Sequence, residues 1–310
     1  MDTNIPQNRE LSFWAAVFTV FLCTIFGANA VAIKISLAGL GVFTTAGIRF
    51  SMAAIAIYLW ARFTGKSFRI KKARYGSLLI VCISFTIQLS LFYLGLSHTN
   101  ASRGTLMVNL LPFFVLFLAH FFIPGDRINR RKFWGILLGF CGVVFVFLDW
   151  ESLASSFRIG DCIVLTAAVF WSCNIVYIKK IINDFEPFHL VLYPMMFAVP
   201  FYFLGALVWD APMVTRIDPV IVGSLVYQGL VTAGFGFVAW NTMLQRYGAV
   251  SLHSFVFIMP VAGVVLGGLV LNEPITWNIL VALVMISSGI LVVQYRPHRI
   301  SPVFPLGRGY

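Results

Sequence analysis

Asn29, Arg49, Gln88 and Asn109 stand within long apolar runs of the first half of this 310-residue chain, and His120 follows them. Asn174, Gln228, Asn241 and His253 do the same in the second half, accompanied by Trp171, Tyr193 and Trp240. In hydrocarbon a buried charge costs about 2.5–3.5 kcal/mol on insertion scales, so such side chains need a partner or a watery surface. An amide can hydrogen-bond a solute or a neighbouring helix, and aromatic rings with polar tips can wall an amphipathic small-molecule site. Asn29, Arg49, Gln88, Asn109, Trp171, Asn174, Tyr193, Gln228, Trp240, Asn241 and His253 are therefore the expected substrate-binding set. Arg49 is a permanent cation that either faces a wet cavity and attracts a carboxylate or, near the outer interface, snorkels or caps backbone carbonyls of a neighbour. His253 can titrate near neutral pH.

Other chemistry lacks its residues. Asp and Glu number 11, and every one is expected in a loop or at a helix end. A mid-membrane carboxylate relay is therefore not expected, and any coupling to protons would pass through a peripheral group such as His253. Asp126 and Glu273 are expected to cap helices, Glu273 just ahead of Pro274 at a first helical position. The five cysteines form no CxxC pair, which argues against a metal site or disulfide framework. No P-loop, catalytic residue, metal or cofactor is expected. The alternative class, an intramembrane enzyme acting on lipid or isoprenoid substrates, would need clustered carboxylates or His/Cys ligands at a membrane face.

The elements that must hold these side chains are long apolar stretches. The chain is 60% hydrophobic and 11% charged, against about 25% charged in soluble domains. Ten spans are expected, at 11–34, 42–62, 75–96, 102–123, 132–148, 161–182, 187–209, 219–244, 249–271 and 275–295. Runs such as residues 110–123 do not alternate in polarity, so the spans are helices rather than barrel strands.

Landmarks in the second half repeat those of the first. Asn29 and Lys34 match Asn174 and Lys179 at an offset of 145; Phe92 and Pro112 match Trp240 and Pro260 at 148. Asp126 and Gly142 match Glu273 and Gly289 at 147. A unit with an odd number of spans enters the bilayer inverted the second time, an architecture of secondary transporters. The expected fold is all-α and integral to the membrane, ten transmembrane helices in two inverted five-helix repeats, 11–150 and 151–295. Segments 1–10 and 296–310 are expected as tails.

The net charge of +11 does not point to nucleic acid, because the charge is one-sided. Basic residues gather in alternate connectors, such as Arg62, Lys66, Arg69, Lys71, Lys72 and Arg74, while the opposite connectors hold Arg103, Arg158 and Arg216. This bias places both termini in the cytoplasm of a cell inner membrane, with membrane lipid as a contact of the basic loops. Ala28-Asn29-Ala30 resembles a signal-peptidase site, but Asp2, Arg9 and Glu10 do not make a basic leader, so the first span is expected to remain. Pro112 and Pro260 are expected to kink their helices. Gly135 and Gly139, like Gly263 and Gly267, make GxxxG faces for close packing, with a homodimer among the contacts they admit.

As a set, these landmarks resemble the EamA-like family of drug/metabolite transporters. The likeness runs through FGANAVAIK (26–34), Arg49-Phe50, Pro112 and IPGDRI (123–128) in the first half. In the second it runs through FWSCNIVYIKK (170–180), AWN (239–241), Pro260, LNEP (271–274) and Gly289. Phe26 stands where the family pattern has tryptophan, and Asp126 where it has glutamate. The resemblance implies ten helices around a central cavity and alternating-access transport of small organic metabolites, with export of amino acids or related compounds as the expected activity.

Overall fold

The computed structural model describes residues 12–122, 128, 130–147, 155–186, 188–240, 242–243, 247 and 255–294. Among the described residues there is no strand, only an isolated bridge between Leu40 and Val214. The helices in chain order are α1 (Phe13–Leu37), α2 (Val42–Phe63), α3 (Tyr75–Ser97), α4 (Ala101–Val108), α5 (Leu111–Phe122) and α6 (Arg130–Phe147). They continue with α7 (Ser155–Ile181), α8 (His189–Trp209), α9 (Pro219–Val226), α10 (Ile258–Leu271) and α11 (Trp277–Gln294). A π-helix, Tyr227–Gly236, prolongs α9, and the stretch stays helical to Trp240.

Among the described residues seven stretches are long and apolar enough to cross a membrane, including Phe13–Leu37, Ala101–Phe122 and Pro219–Trp240; α10 and α11 are shorter apolar helices. Phe13, Trp14, Trp209 and Trp277 are each more than 70% exposed. A surface so rich in exposed large apolar groups is matched to lipid rather than water. The chain is a multi-pass, all-helical membrane protein.

Local chemistry sets several helix starts. Ser12 accepts the Ala15 amide at the head of α1, 3.3 Å away, and Asp218 accepts the Ile221 amide at 2.9 Å with Pro219 at the first position of α9. The fourth span departs from the expected kinked rod. It breaks at Asn109-Leu110, and Pro112 stands in the first turn of α5, where its missing N–H deprives no carbonyl of a partner. Pro260 likewise lies in the first turn of α10.

Packing joins distant parts of the chain. α1 packs on α10, α2 on α8, α3 on α7 and α6 on α11; α7 also touches α4 and α5, α9 touches α1 and α2, and α8 touches α3. The crossing of α6 on α11 requires glycine because backbone meets backbone. A methyl group on Gly289 of α11 would lie 2.7 Å from the Gly135 carbonyl oxygen and 3.0 Å from the Gly139 amide nitrogen of α6. Neither atom can rotate away. Both GxxxG faces meet other helices of the chain, the second through Thr105 and Ser102 of α4 against Gly263 and Gly267.

Overpacking of this kind costs about 1–3 kcal/mol. Gly289→Ala is expected to lower the melting temperature of the detergent-solubilised protein by about 5 °C. Gly76→Ala, with no atom within 4 Å of the added methyl, should leave it unchanged. Equal melting of both variants and the parent would mean that α6 and α11 can separate without loss.

Candidate functional site

A cavity of about 510 Å³ lies between helices drawn from both halves. Its walls run from Arg49 and Thr105, in the first two turns of α2 and α4, to Val293 beside the end of α11. Of the expected set it gathers Asn29, Arg49, Asn109, Trp171 and Trp240. Phe92 and Phe26 complete the aromatic wall, the Phe26 ring edge-on to Trp240 at 5.9 Å.

The remaining residues of that set go elsewhere. Gln88 and Asn174 are buried but do not line the cavity, and the side-chain oxygen of each has no hydrogen-bond partner. Gln228 sits behind the wall rather than in it. Tyr193 belongs to a separate groove, where its hydroxyl donates to the Phe68 carbonyl at 2.7 Å. Asn241 and His253 lie outside the described residues, as does Asp126.

Arg49 is 4% exposed, which excludes the snorkelling arrangement. Its Nη1 donates to the Tyr93 hydroxyl at 2.9 Å, and that hydroxyl donates to Gln228 Oε1 at 3.1 Å. Gln228 Nε2 in turn donates to the Ala32 carbonyl at 3.0 Å and to Ser36 Oγ at 2.7 Å. The guanidinium carbon lies 5.0 Å from the Phe50 ring centre and 5.9 Å from that of Tyr93, within cation–π range. Among the described residues no carboxylate pairs with Arg49, and its Nε has no partner. Two further polar atoms at the wall, Asn29 Oδ1 and Thr105 Oγ1, are also buried and unpartnered. The cavity's unpartnered buried polar atoms are therefore one guanidinium nitrogen, one amide oxygen and one hydroxyl, set among aromatic rings.

Sequence reasoning missed Thr105 and Thr232 in the wall and the whole role of the π-helix. Thr232 donates to the Tyr227 carbonyl five residues back at 3.0 Å, so its turn is wider than an α-turn. Such segments recur at functional sites. This one presents Thr232 to the cavity and Gln228 to Tyr93. The signal available was the density of glycines, Gly229, Gly234 and Gly236, within one apolar span.

Beyond Arg49 the helix ends are knitted together by polar contacts. Glu273 does not cap its own helix as expected. Its carboxylate accepts the amides of Ala101 and Ser102 at 2.6 and 2.8 Å and the Ser102 hydroxyl at 2.6 Å, capping α4 in the other half. Asp161, expected in a loop or at a helix end, lies fully buried in α7; it pairs with Arg103, itself buried, and accepts the Thr99 hydroxyl at 2.6 Å. Asp210 accepts both the amide and the hydroxyl of Thr44, at 2.6 and 2.9 Å, and Lys34 donates to the Leu96 carbonyl at 3.0 Å. Among the described residues no three His, Cys, Asp or Glu side chains gather as metal ligands would.

Comparison with known proteins fits this architecture. The chain is 24% identical to the uncharacterized transporter YoaV of Bacillus subtilis, over 86% of this chain and 92% of that one. It is 26% identical to a probable amino-acid metabolite efflux pump of Escherichia coli, over 89% and 93% of the two chains, and 27% identical to the protein of that name in Salmonella typhimurium, over 92% and 95%. A protein crystal structure 17% identical in sequence superposes with a TM-score of 0.68, covering 91% of this chain and 96% of the other, a likeness of fold. The sequence model of the EamA-like transporter family matches twice, over residues 13–148 and 158–295, and the chain belongs to that family.

Proposed function

We propose that this transporter exports amino acids or closely related carboxylate-bearing metabolites across the cell inner membrane, by alternating access around the Arg49 cavity. The observation that carries the reading is Arg49 itself, a buried guanidinium at the cavity wall with which no carboxylate among the described residues pairs. A substrate carboxylate supplies the missing anion, and a charge-assisted contact of this type is stronger than a neutral hydrogen bond. Asn29 Oδ1 then suits a substrate ammonium group, Thr105 a second polar contact, and the rings of Trp171, Trp240 and Phe92 an apolar side chain. Asn109, whose amide nitrogen donates to the Thr105 carbonyl at 2.8 Å, steadies that wall. The names of the efflux-pump relatives agree with this substrate class.

Two inverted five-helix halves, ten spans in all, are the architecture on which this mechanism rests. Support comes from the twofold match of the family sequence model and from the helix contacts. Exchanging α1 with α7, α2 with α8, α3 with α9, the α4–α5 pair with α10, and α6 with α11 turns each principal contact into another one observed. Alternating access needs a closed end that can open. The Glu273, Asp210 and Lys34 contacts supply a latch at the end near Arg49. With cytoplasmic termini that end faces outward, and the cavity extends toward the inside.

Arg49→Ala is expected to weaken counterflow of carboxylate-bearing amino acids in proteoliposomes roughly 10- to 100-fold, the range for a lost hydrogen bond to a charged group. Matched amides or amines lacking the carboxylate should lose far less; an equal loss for both would assign Arg49 to structure alone. For the latch, Glu273→Ala removes a helix cap worth about 1–2 kcal/mol. In a cysteine-free background, a cysteine at Thr105 should then react several-fold faster with an impermeant maleimide added from the outer face. Unchanged labelling would remove Glu273 from the gate.

A further inference from the structure

A second groove, separate from the central cavity, lies on the flank of the bundle between the start of α3 and the middle of α8, with a volume of about 750 Å³. Its rim is basic and its walls are apolar. Arg69, Lys72 and Tyr75 stand at the mouth, and Leu79, Cys82 and Met196 line the interior. From Tyr75 to Cys82 the wall runs two turns along α3, about 10 Å into the membrane-spanning helix. Leu79 and Met196 are about half exposed on the surface that faces hydrocarbon.

The rim is built rather than loose. The His189 ring nitrogen Nε2 lies 2.7 Å from the Ser67 carbonyl, and the Tyr193 hydroxyl donates to the Phe68 carbonyl at 2.7 Å. The Phe68 ring sits edge-on to Phe188 at 5.7 Å and beside Tyr58 at 5.3 Å. α8 thus fixes the backbone that presents Arg69. Charge at the rim is not neutralised by the protein. Asp184 is taken by Arg74 at 2.6 Å, and among the described residues no carboxylate pairs with Arg69 or Lys72. Both side chains are exposed.

A pair of cations above an apolar channel that opens sideways to the bilayer matches one ligand chemistry, a phosphate monoanion carrying an acyl chain. We propose that this groove binds one anionic glycerophospholipid, its phosphate held by Arg69 and Lys72 and one acyl chain laid along Leu79, Cys82 and Met196. The site is independent of the transport cavity and of the substrate assigned to it.

Intact-complex mass spectrometry of the delipidated protein, titrated with phosphatidylglycerol or phosphatidylcholine, tests the assignment. One phosphatidylglycerol should be retained in preference to phosphatidylcholine. Each basic contact near a membrane surface is worth about fivefold, so Arg69→Gln with Lys72→Gln should weaken phosphatidylglycerol roughly twentyfold and leave phosphatidylcholine unchanged. Lys66→Gln with Lys71→Gln, equal in charge but off the groove, should keep most of the affinity; a loss as large as that of the rim pair would mean diffuse surface attraction and overturn the proposal. Leu79→Trp fills the channel while leaving the rim intact, and should also reduce retention several-fold. Unaltered retention in that variant, or full competition by the chain-free headgroup glycerophosphoglycerol, would replace the lipid with a soluble phosphate and equally overturn it.

Discussion

A guanidinium enclosed in apolar protein, with no carboxylate paired to it among the described residues, imposes the strictest demand on this molecule. Insertion scales set the cost of such a charge at about 2.5–3.5 kcal/mol at mid-membrane. The protein meets part of it with neutral dipoles placed in series: Tyr93 accepts from Arg49, Gln228 accepts from Tyr93, and Ala32 and Ser36 accept from Gln228. Hydrogen bonds in such a chain polarise one another, which strengthens the last contact with the charge. Two aromatic rings add their electron-rich faces. Among the described residues none supplies a paired negative charge, and that omission leaves an attraction for an anionic solute.

The chain from Arg49 to Ser36 joins four helices, α2, α3, the π-segment that prolongs α9, and α1, so it works only if they approach closely. Gln228 reaches α1 from the π-segment, and its neighbour Gly229 makes this possible: a methyl there would lie 3.2 Å from the Arg49 carbonyl oxygen and 2.9 Å from Met52 Cβ. The wide π-turn and the missing side chain act together. One aims Gln228 at Tyr93, the other lets the backbone sit against α2. A regular α-helix with alanine at that position would push α9 away and leave the Gln228 amide and the Arg49 guanidinium without their bridge. Fold and site are thus specified by the same few residues.

This division explains what could be read in advance. Apolar length marks membrane helices because nothing but a helix or a closed barrel satisfies backbone groups there, and Arg49 and Asn29 were visible because polarity in such runs is costly. Offsets between landmarks flagged Gly289 and Gly142 before their packing partners were known. The failures share a cause. Glu273 and Asp161 were assigned by their neighbours in sequence, yet the helix end that Glu273 caps lies more than 170 residues away, and Asp161 pairs with Arg103 across 58. Long-range pairing turns an acid at the edge of a span into a buried structural ion. Tyr193 and Gln228 were recognised as polar groups in apolar surroundings, but which surface each faces depends on helix rotation, and for Gln228 on a π-turn that periodicity does not encode.

The break in symmetry between the halves has a consequence for how a solute sits. At the offset that aligns Asn29 with Asn174, Arg49 aligns with Pro194, which stands inside α8 against α2. One half contributes five N–H donors and a positive charge at this level; the other contributes a residue with no N–H, which leaves a carbonyl one turn earlier without its usual partner. A pair of identical halves would hold a zwitterion equally well in two opposed orientations. With the cation on one side only, the amino acid proposed as substrate would have a single favourable position for its carboxylate, its ammonium directed away toward groups that accept. If the proposed alternating access holds, the scaffold can stay close to twofold for rocking between two access states while a one-sided polar lining selects one pose.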